Sequence, residues 1–360
     1  MKILALDVGG LTQDILLFDT SQTIENCVKM IMPSPSLVLS HKMKKATEAK
    51  RPVFITGVNM GGEPLKGSVL DHIQAGLRVY ATPEAATSFA DNMNKISGYG
   101  IELASEEELP ESSKVERINT TDIDLAAIEK ALTAFEVDPH IDALAVAVLD
   151  HGTAPPGTSD RVFRFQHLRQ QVEKERQLLT FAYLADEIPP HLTRMKAATQ
   201  CLDRELPLLV MDTPVAAAFG AMEDNNVGRE SRKVIVNVGN FHTLAFHLQG
   251  DSILSFFEHH TRFLDAKKID DFIIKLVRGE ITSEEVYNDN GHGAYILERS
   301  NDIPPVAVTG PQRHIMADSK LSPYFAAPYG AMMLTGCFGL VRAFAMRMKS
   351  WQSEIEKALG

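Results

Sequence analysis

Cysteine is scarce in this sequence, and its copies are far apart. The 360-residue chain contains three cysteines, Cys27, Cys201 and Cys337. They form no CxxC pair and no cluster of three, so the sequence predicts neither a disulfide framework nor a cysteine-held iron–sulfur cluster. This use of cysteine is typical of the reducing cytosol, and we expect a cytoplasmic protein.

An excess of basic charge is also missing. The chain has 36 Lys and Arg against 47 Asp and Glu, which gives a formal net charge of −11. The basic residues are scattered and form no dense patch. Because nucleic-acid backbones are held mostly by Lys and Arg, we expect no nucleic-acid partner.

Long apolar runs that would suit a membrane are absent as well. Asp7 interrupts the first apolar run and no cleavage site follows, which argues against a signal peptide. The uncharged segment 321–341 has the length of a bilayer span, but prolines and glycines interrupt it. We therefore expect a buried, tightly packed helix from about Tyr329, and no membrane partner.

The first stretch that carries chemistry is the strand–turn–strand pattern of residues 3–19. Asp7 ends an apolar strand, and Gly9 and Gly10 follow it. A carboxylate at the end of a buried strand needs a partner or a role, and glycines let a ligand approach the backbone N–H groups. Taken alone, the pattern fits an ordinary β-hairpin equally well.

Strands and helices alternate along much of the chain. Short apolar runs predict strands at 53–57, 77–82, 141–149 and 206–211. Their lack of period-two patterning favours an α/β fold with buried sheets. The acidic segment 103–119 has no periodicity and is predicted to be a solvated surface excursion. A glycine loop at 60–64 could border a ligand cleft, but it is more simply interpreted as a turn.

The opening unit has a counterpart 230 residues later. Residues 7–12 (DVGGLT) align without a gap with residues 237–242 (NVGNFH), and apolar strands flank both turns. A third strand follows each copy, at 27–32 and 253–257. This internal duplication predicts two similar domains. If their turns face each other across a cleft, they would offer converging N–H groups to a phosphate chain.

Five segments together resemble the hallmark elements of the actin, seventy-kilodalton heat-shock chaperone and sugar-kinase ATPase superfamily. They are a first phosphate loop at 7–12, a connecting helix at 212–220, a second phosphate loop at 237–243, an adenosine loop at 306–311 and a second connecting helix from 329. The resemblance implies an α/β fold of two ribonuclease-H-like, actin-like ATPase domains around a central cleft. It also implies Mg-ATP as the cofactor.

Site residues follow from the same resemblance. Asp7 would act through Mg²⁺ and its waters. The residues implied in cofactor binding are Gly9, Gly10, Thr12, Gly239, Asn240, Thr243, Thr309 and Gly310.

The second half departs from the superfamily pattern. Asn237 stands where many members have an aspartate, and Asn240 and Phe241 replace glycines. A phenylalanine at this place narrows the space for a phosphate. Pro311 replaces the second glycine of the adenosine loop and removes an N–H donor.

Within the superfamily, the chain most resembles a group labelled as pyruvate-formate-lyase-activating enzymes. That label implies a radical S-adenosylmethionine enzyme with three closely spaced cysteines. The chain has no such triplet, so we do not expect that chemistry or its iron–sulfur cluster.

Histidine is the residue type that suggests a different chemistry. Six of the twelve histidines fall at predicted cleft positions: His151, His242, His259, His260, His292 and His314. With Asp7, Asp150 and Glu258 they could form a transition-metal site, although no HExxH-type spacing is present. The alternative is that each is a hydrogen-bonded or surface loop residue.

The sequence leads to one main hypothesis and two alternatives. We expect domains at 1–205 and 206–360, with the last helices packing back towards the first domain. The main hypothesis is a nucleotide or another phosphorylated small molecule bound with Mg²⁺ in the cleft, with ATPase or phosphotransferase activity. Asp7, Asp150 and His151 are the candidate catalytic residues. The alternatives are a non-catalytic ligand-binding or regulatory protein, and a metal-dependent enzyme with Asp7, His259 and His260 as candidate metal ligands. A protein partner is not indicated.

Overall fold

The computed structural model of the chain describes residues 1–90, 92–109, 115–200, 202 and 206–360. The strands in these ranges are β1 (Lys2–Val8), β2 (Thr12–Asp19), β3 (Val28–Pro33), β4 (Val53–Gly57), β5 (Val79–Ala81), β6 (Ile101–Leu103), β7 (Glu116–Thr120), β8 (Ala143–Val148), β9 (Ala182–Leu184), β10 (Leu208–Met211), β11 (Arg232–Val238), β12 (His242–Gln249), β13 (Ser252–His260), β14 (Gly293–Ile296), β15 (Val306–Thr309) and β16 (Tyr324–Phe325). The α-helices are α1 (Pro35–Glu48), α2 (Leu65–Gln74), α3 (Pro83–Ala86), α4 (Met93–Gly98), α5 (Leu125–Ala134), α6 (Asp160–Lys174), α7 (Thr193–Thr199), α8 (Thr213–Ala221), α9 (Asn225–Gly228), α10 (Ala266–Arg278), α11 (Ser283–Asn288), α12 (Thr335–Arg347) and α13 (Gln352–Leu359).

Helix ends follow local sequence signals. α1 begins after Ser34, whose hydroxyl accepts a hydrogen bond from the N–H of Leu37, and Pro35 occupies the first helical position. α10 begins after Asp265, which accepts from the N–H of Lys268, and it ends at Gly279 in the left-handed conformation. These caps satisfy backbone groups that a helix end leaves without partners.

Two sheets repeat one strand order. The first sheet has the order β3-β2-β1-β8-β10-β9, and the second has the order β14-β13-β12-β11-β15-β16. In both, three antiparallel strands are followed by two strands parallel to the first strand of the unit. The shared core is therefore a 3-2-1-4-5 arrangement, with β9 or β14 added at an edge. This is the ribonuclease-H-like topology, and the predicted fold class is confirmed. We call the two sheets with their helices the first and second lobes.

A third sheet is inserted between β3 and β8. Its four strands are all parallel and have the order β6-β5-β4-β7. Sequence analysis predicted 103–119 as a surface excursion, but part of this segment belongs to the inserted sheet, because Glu116–Thr120 pairs with β4. Residues 106–108 form an exposed 3₁₀ turn, and residues 110–114 lie outside the described ranges. Backbone pairing thus orders a segment whose composition is polar.

Two buried helices join the lobes. α8 and α12 cross in close contact: a Cβ at Gly220 would lie 1.8 Å from the carbonyl oxygen of Thr335, and one at Gly339 would lie 2.0 Å from that of Ala216. Glycine is needed at both positions because only hydrogen fits there. The second of these helices begins at Thr335 rather than at Tyr329, which lies in a preceding 3₁₀ turn.

The first lobe includes elements from beyond a simple sequence boundary. β10 lies after the boundary predicted at 205/206, yet it pairs with β8 in the first sheet, because its apolar residues complete that buried sheet. α12, at the far end of the chain, contacts β1 and β8 of the first sheet. Among the described residues, no helix combines the length and apolar character needed to cross a bilayer.

Candidate functional site

A cleft of about 590 Å³ lies between the lobes and the inserted sheet. Its walls come from the hairpin turns after β1 and β11, from residues 149–152 after β8, and from residues 59–63 of the inserted sheet. The 60–64 loop, interpreted from sequence as a simple turn, therefore borders the cleft. Small-molecule sites typically have volumes of about 300–1,000 Å³, so the cleft suits a small ligand.

Four histidines meet at this cleft, and three of them, His151, His242 and His260, line it. We call His151, His242, His260 and His292 the histidine cluster. Neighbouring ring centres lie 4.8 to 5.6 Å apart. In three of them, His151, His242 and His292, one potential metal-ligating atom of each ring lies within 4.8 Å of the others. The cluster therefore has the composition and spacing of a candidate metal centre.

Strand register explains the cluster. β14, β13 and β12 are neighbours in the second sheet. His242 opens β12 directly opposite His260, which ends β13, and His292 immediately precedes β14. Antiparallel pairing thus places these three histidines at one end of the sheet. His151 comes from the first lobe, after β8, so the cluster is built by both lobes.

Hydrogen bonds fix the orientation of two of these rings. His242 Nδ1 lies 3.3 Å from Glu258 Oε1, and His260 Nδ1 lies 2.7 Å from the carbonyl oxygen of Asn290. A ring nitrogen that faces such an acceptor carries the hydrogen, and this leaves Nε2 of each ring as the lone-pair donor. A carboxylate behind a metal-ligating histidine is a common arrangement around bound metals.

Burial favours the neutral imidazole in three members of the cluster. It lowers the pKa of His292 to about 2 and that of His260 to about 4. It also holds the pKa of His151 well below its ordinary value. Neutral imidazole is the form that binds a metal. His292 is 2% exposed, and among the described residues neither of its ring nitrogens has a hydrogen-bond partner, a costly state that a bound ion would relieve at one nitrogen.

A buried arginine lies behind the cluster and joins the lobes. Arg164 of α6 is 1% exposed and pairs with Asp212 of the first lobe at 2.7 Å and with Glu258 of the second at 2.8 Å. It also donates to the carbonyl oxygen of Asp150 at 3.0 Å. Burial opposes ionisation of Glu258, yet the Arg164 guanidinium holds the pKa of that carboxyl well below its usual range. Glu258 therefore stays charged and holds His242 in place.

The two predicted catalytic residues after β8 have different surroundings. Asp150 lines the cleft, but both of its oxygens are occupied: Oδ1 accepts from the N–H of Gly152 at 2.8 Å and Oδ2 from the N–H of Met195 at 2.9 Å. Burial raises the pKa of Asp150. Its carboxyl ties the loop to α7, whereas His151 enters the cluster.

The two hairpin turns close in the same way. Gly9 donates its N–H to the carbonyl oxygen of Thr12, and Gly239 donates to that of His242, both at 2.9 Å. These two N–H groups are thus used inside their own turns. The ring of Phe241 packs directly on Gly10, where an added Cβ would lie 2.0 Å from a ring carbon. The ring of Phe241 therefore fills part of the space between the turns, and binding of a phosphate chain there stays a prediction.

Three of the other residues implied in cofactor binding have side-chain hydrogen bonds within the second half of the chain. Asn240 lines the cleft and accepts from the side chain of Gln312 at 2.9 Å. Thr243 pairs with Thr261, and Thr309 with Thr335. Thr12, Thr243, Thr309 and Gly310 are not among the residues that line the cleft. Their roles in cofactor binding stay predictions.

Asp7 lies below the cleft surface rather than on it. It faces Asp14 directly across β1 and β2, both are 7% exposed, and Oδ1 of each lacks a hydrogen-bond partner within the described ranges. Burial raises the pKa of Asp7 to about 7; burial and the charge of Asp7 raise that of Asp14 to about 8. Asp7 is not part of the histidine cluster. Its predicted catalytic and metal roles remain predictions.

Replacing Asp14 by Asn is expected to flatten the dependence of stability on pH. Both aspartates have folded pKa values above the unfolded value of about 3.9. The folded state therefore holds extra protons between about pH 4 and 8, so stability falls as the pH rises through this window. Asp14→Asn should remove about 2–5 kcal/mol of this fall. Urea unfolding of both proteins at pH 5 and pH 8.5 measures how far the free energy of unfolding falls between the two pH values. An equal fall in the wild type and in Asp14→Asn would contradict this prediction.

Of the two adjacent histidines predicted as metal ligands, only His260 joins the cluster. Neighbouring residues of a strand point to opposite faces, so His259 lies on the other side of β13. There its Nε2 contacts Asp289 at 3.1 Å and its Nδ1 contacts the carbonyl oxygen of His260. His314 lies exposed on a 3₁₀ turn.

Sequence reasoning missed Arg164 and the pairing of Asp212. The partners of Arg164 lie 48 and 94 residues away, and no local pattern marks such a contact. Cys27 and Cys337 are buried in separate elements, and Cys201 lies outside the described residues.

Several solved structures align with most of this chain at low sequence identity. The ethanolamine utilization protein EutJ from Carboxydothermus hydrogenoformans is 12% identical over 94% of this chain and 89% of its own, with a TM-score of 0.34. The Aquifex aeolicus Ppx/GppA phosphatase is 8% identical over 86% and 68%, with a TM-score of 0.31. A ROK hexokinase from Thermus thermophilus is 13% identical over 71% of this chain, with a TM-score of 0.25, and the chain spans 48% of that hexokinase.

A comparison with curated proteins found no match. A protein-family profile described as "Putative pyruvate format-lyase activating enzyme (DUF1786)" matches residues 60–315. This range covers more than half of the chain, and it contains three of the four strands of the inserted sheet, β5 to β7, and all four members of the histidine cluster. The chain belongs to this family.

Proposed function

We propose that this protein is a metal-dependent enzyme that binds one transition-metal ion at His151, His242 and His292 and acts on a small molecule in the cleft. The observation that carries the proposal is the meeting of three imidazoles, one from the first lobe and two from the second, with ligating atoms within 4.8 Å of one another. His292 supports it independently, because it is buried and neither ring nitrogen has a hydrogen-bond partner in the part of the chain that the structure describes.

The donor set favours particular metals. Neutral imidazoles suit Zn²⁺, Cu²⁺, Fe²⁺ and Ni²⁺, whereas Mg²⁺ prefers oxygen ligands. Three histidines form the protein part of some catalytic zinc sites, in which a fourth position stays open for water or substrate. A metal bound there would polarise a substrate oxygen or activate water.

Other residues of the chain support that chemistry. Glu258 holds the ring of His242 through Nδ1, and Asn290 holds that of His260. This leaves Nε2 of His260 with its lone pair, and it would serve as a proton acceptor. His151, His242 and His260 line the cleft, so a small molecule in the cleft reaches the histidine cluster directly.

Cobalt substitution tests the open coordination position. Adding one equivalent of Co²⁺ to the protein should give visible absorption bands of a low-coordinate nitrogen site. Adding azide should shift these bands, because a small anion can enter the open position. His292→Ala should lose both signals, and His314→Ala should keep them. Cobalt absorption bands that do not change when azide is added, or that persist in His292→Ala, would contradict the proposal.

A second candidate function is binding of a nucleotide or phosphorylated small molecule with Mg²⁺. The observation that favours it is that both glycine turns line one cleft, as the superfamily resemblance implies. Phe241 opposes it, because its ring occupies the space beside Gly10.

Calorimetry with Mg-ATP tests this second function and the role of Phe241. We expect the wild-type protein to bind Mg-ATP weakly or not at all at millimolar concentration. Phe241→Ala should strengthen binding by about tenfold if the ring is the obstacle, since about 1.4 kcal/mol of restored contact corresponds to tenfold. Phe263→Ala, which removes another exposed ring, is the matched control. Absence of binding in every variant would rule out the nucleotide function.

A further inference from the structure

The inserted sheet directs one particular edge towards the cleft. Its order is β6-β5-β4-β7. The chain adds β5 and then β6 on one side of β4 and places β7 on the other side, so the order in which strands are added reverses between β4 and β7. The segments that follow these strands, residues 59–63 after β4 and Asp122 after β7, both line the cleft, and so do residues 87–90 after β5. In open parallel sheets, ligands bind outside the carboxyl ends of the strands at such a reversal.

On this side of the cleft the buried acidic side chains have ionic or hydrogen-bond partners, whereas one lysine has no carboxylate partner among the described residues. Asp122 is buried and pairs with Arg194 at 2.7 Å, and both oxygens of Asp150 accept backbone N–H groups. Lys66, in the first turn of α2, is half-buried, and among the described residues its ammonium contacts the hydroxyl and ring of Tyr99. Within the part of the chain that the structure describes, no carboxylate lies within 4 Å of that ammonium.

The cleft wall next to the histidine cluster also carries a half-buried positive charge. Arg161 is half-buried and donates to the carbonyl oxygens of Tyr287 and Gly291, with no carboxylate partner among the described residues. The remaining charged residues of the lining, Glu63, Asp160 and Arg262, are exposed to solvent, which screens them. The half-buried charges without a counter-ion are thus both positive, in a protein whose net charge is −11.

We propose that the substrate is a small molecule with an anionic oxygen group, a carboxylate or a phosphate, which binds at the carboxyl edge of the inserted sheet with Lys66 as its counter-ion. This inference rests on the proposed function, because the rest of the molecule then extends towards the histidine cluster across the cleft. Lys66 recognises the charge, and the cluster acts on the other end. Lys66 is a binding residue in this account.

Anion binding to the metal-free protein tests the inference. Calorimetry with inorganic phosphate and with succinate, in separate titrations, distinguishes the two anion types. We expect one of them to bind to the wild-type protein, Lys66→Met to weaken that binding about tenfold, and Lys66→Arg to restore most of it. Lys44→Met removes an exposed lysine of α1 and should leave anion binding unchanged.

The outcomes separate the inference from the proposed function. His292→Ala should lose Co²⁺ but keep anion binding, and Lys66→Met should keep Co²⁺ but lose anion binding. Absence of binding of either anion, or equal weakening by Lys66→Met and Lys44→Met, would overturn the role of Lys66 and leave the metal site standing. Circular dichroism confirms that each variant is folded. Absence of Co²⁺ binding to the wild-type protein would instead overturn the proposed function.

Discussion

Replacing Arg164 by Leu is expected to lower the free energy of unfolding by about 3–5 kcal/mol. Arg164 is 1% exposed and pairs with Asp212 and Glu258, which are also buried. Its removal leaves two carboxyls in the interior without their counter-charge. An unpaired buried charge is far more costly than the net gain of an intact pair, so the loss should be large although the pair itself contributes little.

The same helix offers a matched control. Arg169 of α6 pairs with Glu173 at 2.8 Å, with both side chains exposed. Exposed pairs at this spacing contribute about 0.3–0.5 kcal/mol, so Arg169→Leu should change stability little. Urea unfolding at neutral pH measures both variants. An Arg164→Leu protein as stable as Arg169→Leu would show that the buried network is not needed to hold the lobes.

Replacing His292 or His242 by Ala is expected to weaken metal binding by on the order of 100-fold or more. Loss of a residue that merely orients a ligand typically costs 10–100-fold in metal affinity, and removal of a ligand itself should cost at least as much. Glu258→Gln, which keeps the shape but removes the charge behind His242, should fall within that 10–100-fold range. Competition titrations with a chromogenic zinc chelator measure these affinities.

Controls for the metal prediction come from histidines outside the cluster. His314 is exposed, and His259 is held on the opposite face of β13 by Asp289. His314→Ala should bind zinc as the wild type does, and His259→Ala should do so wherever the fold is retained. Equal losses in the variants of His292 and His314 would mean that zinc binds to the surface rather than to the cluster.

The fold could be predicted from the sequence because its opening strand–turn–strand unit occurs twice. The alignment of residues 7–12 with 237–242 predicted two units that each open with a strand–turn–strand, and the strand orders of the two lobes confirm it. The inserted sheet was not recognised as a separate unit. Its strands are only three to five residues long, and β7 lies in a polar segment that backbone pairing, rather than apolar pattern, orders.

The candidate site was only partly accessible. Strand-end positions identified His151, His242 and His260 as cleft residues, and the structure brings them together. The choice of His259 as a ligand ignored the alternation of side chains along β13, which sends adjacent histidines to opposite faces. The role of Arg164 depends on contacts 48 and 94 residues away, and periodicity carries no information at that separation.

X-ray absorption spectroscopy of the protein loaded with one equivalent of zinc tests the central claim most directly. The account predicts a zinc ion with three imidazole nitrogens at about 2.0–2.1 Å, and loss of imidazole signal in a variant with His151, His242 and His292 all replaced by Ala. A coordination shell of mainly oxygen with one imidazole or none, or an unchanged spectrum in that variant, would contradict it.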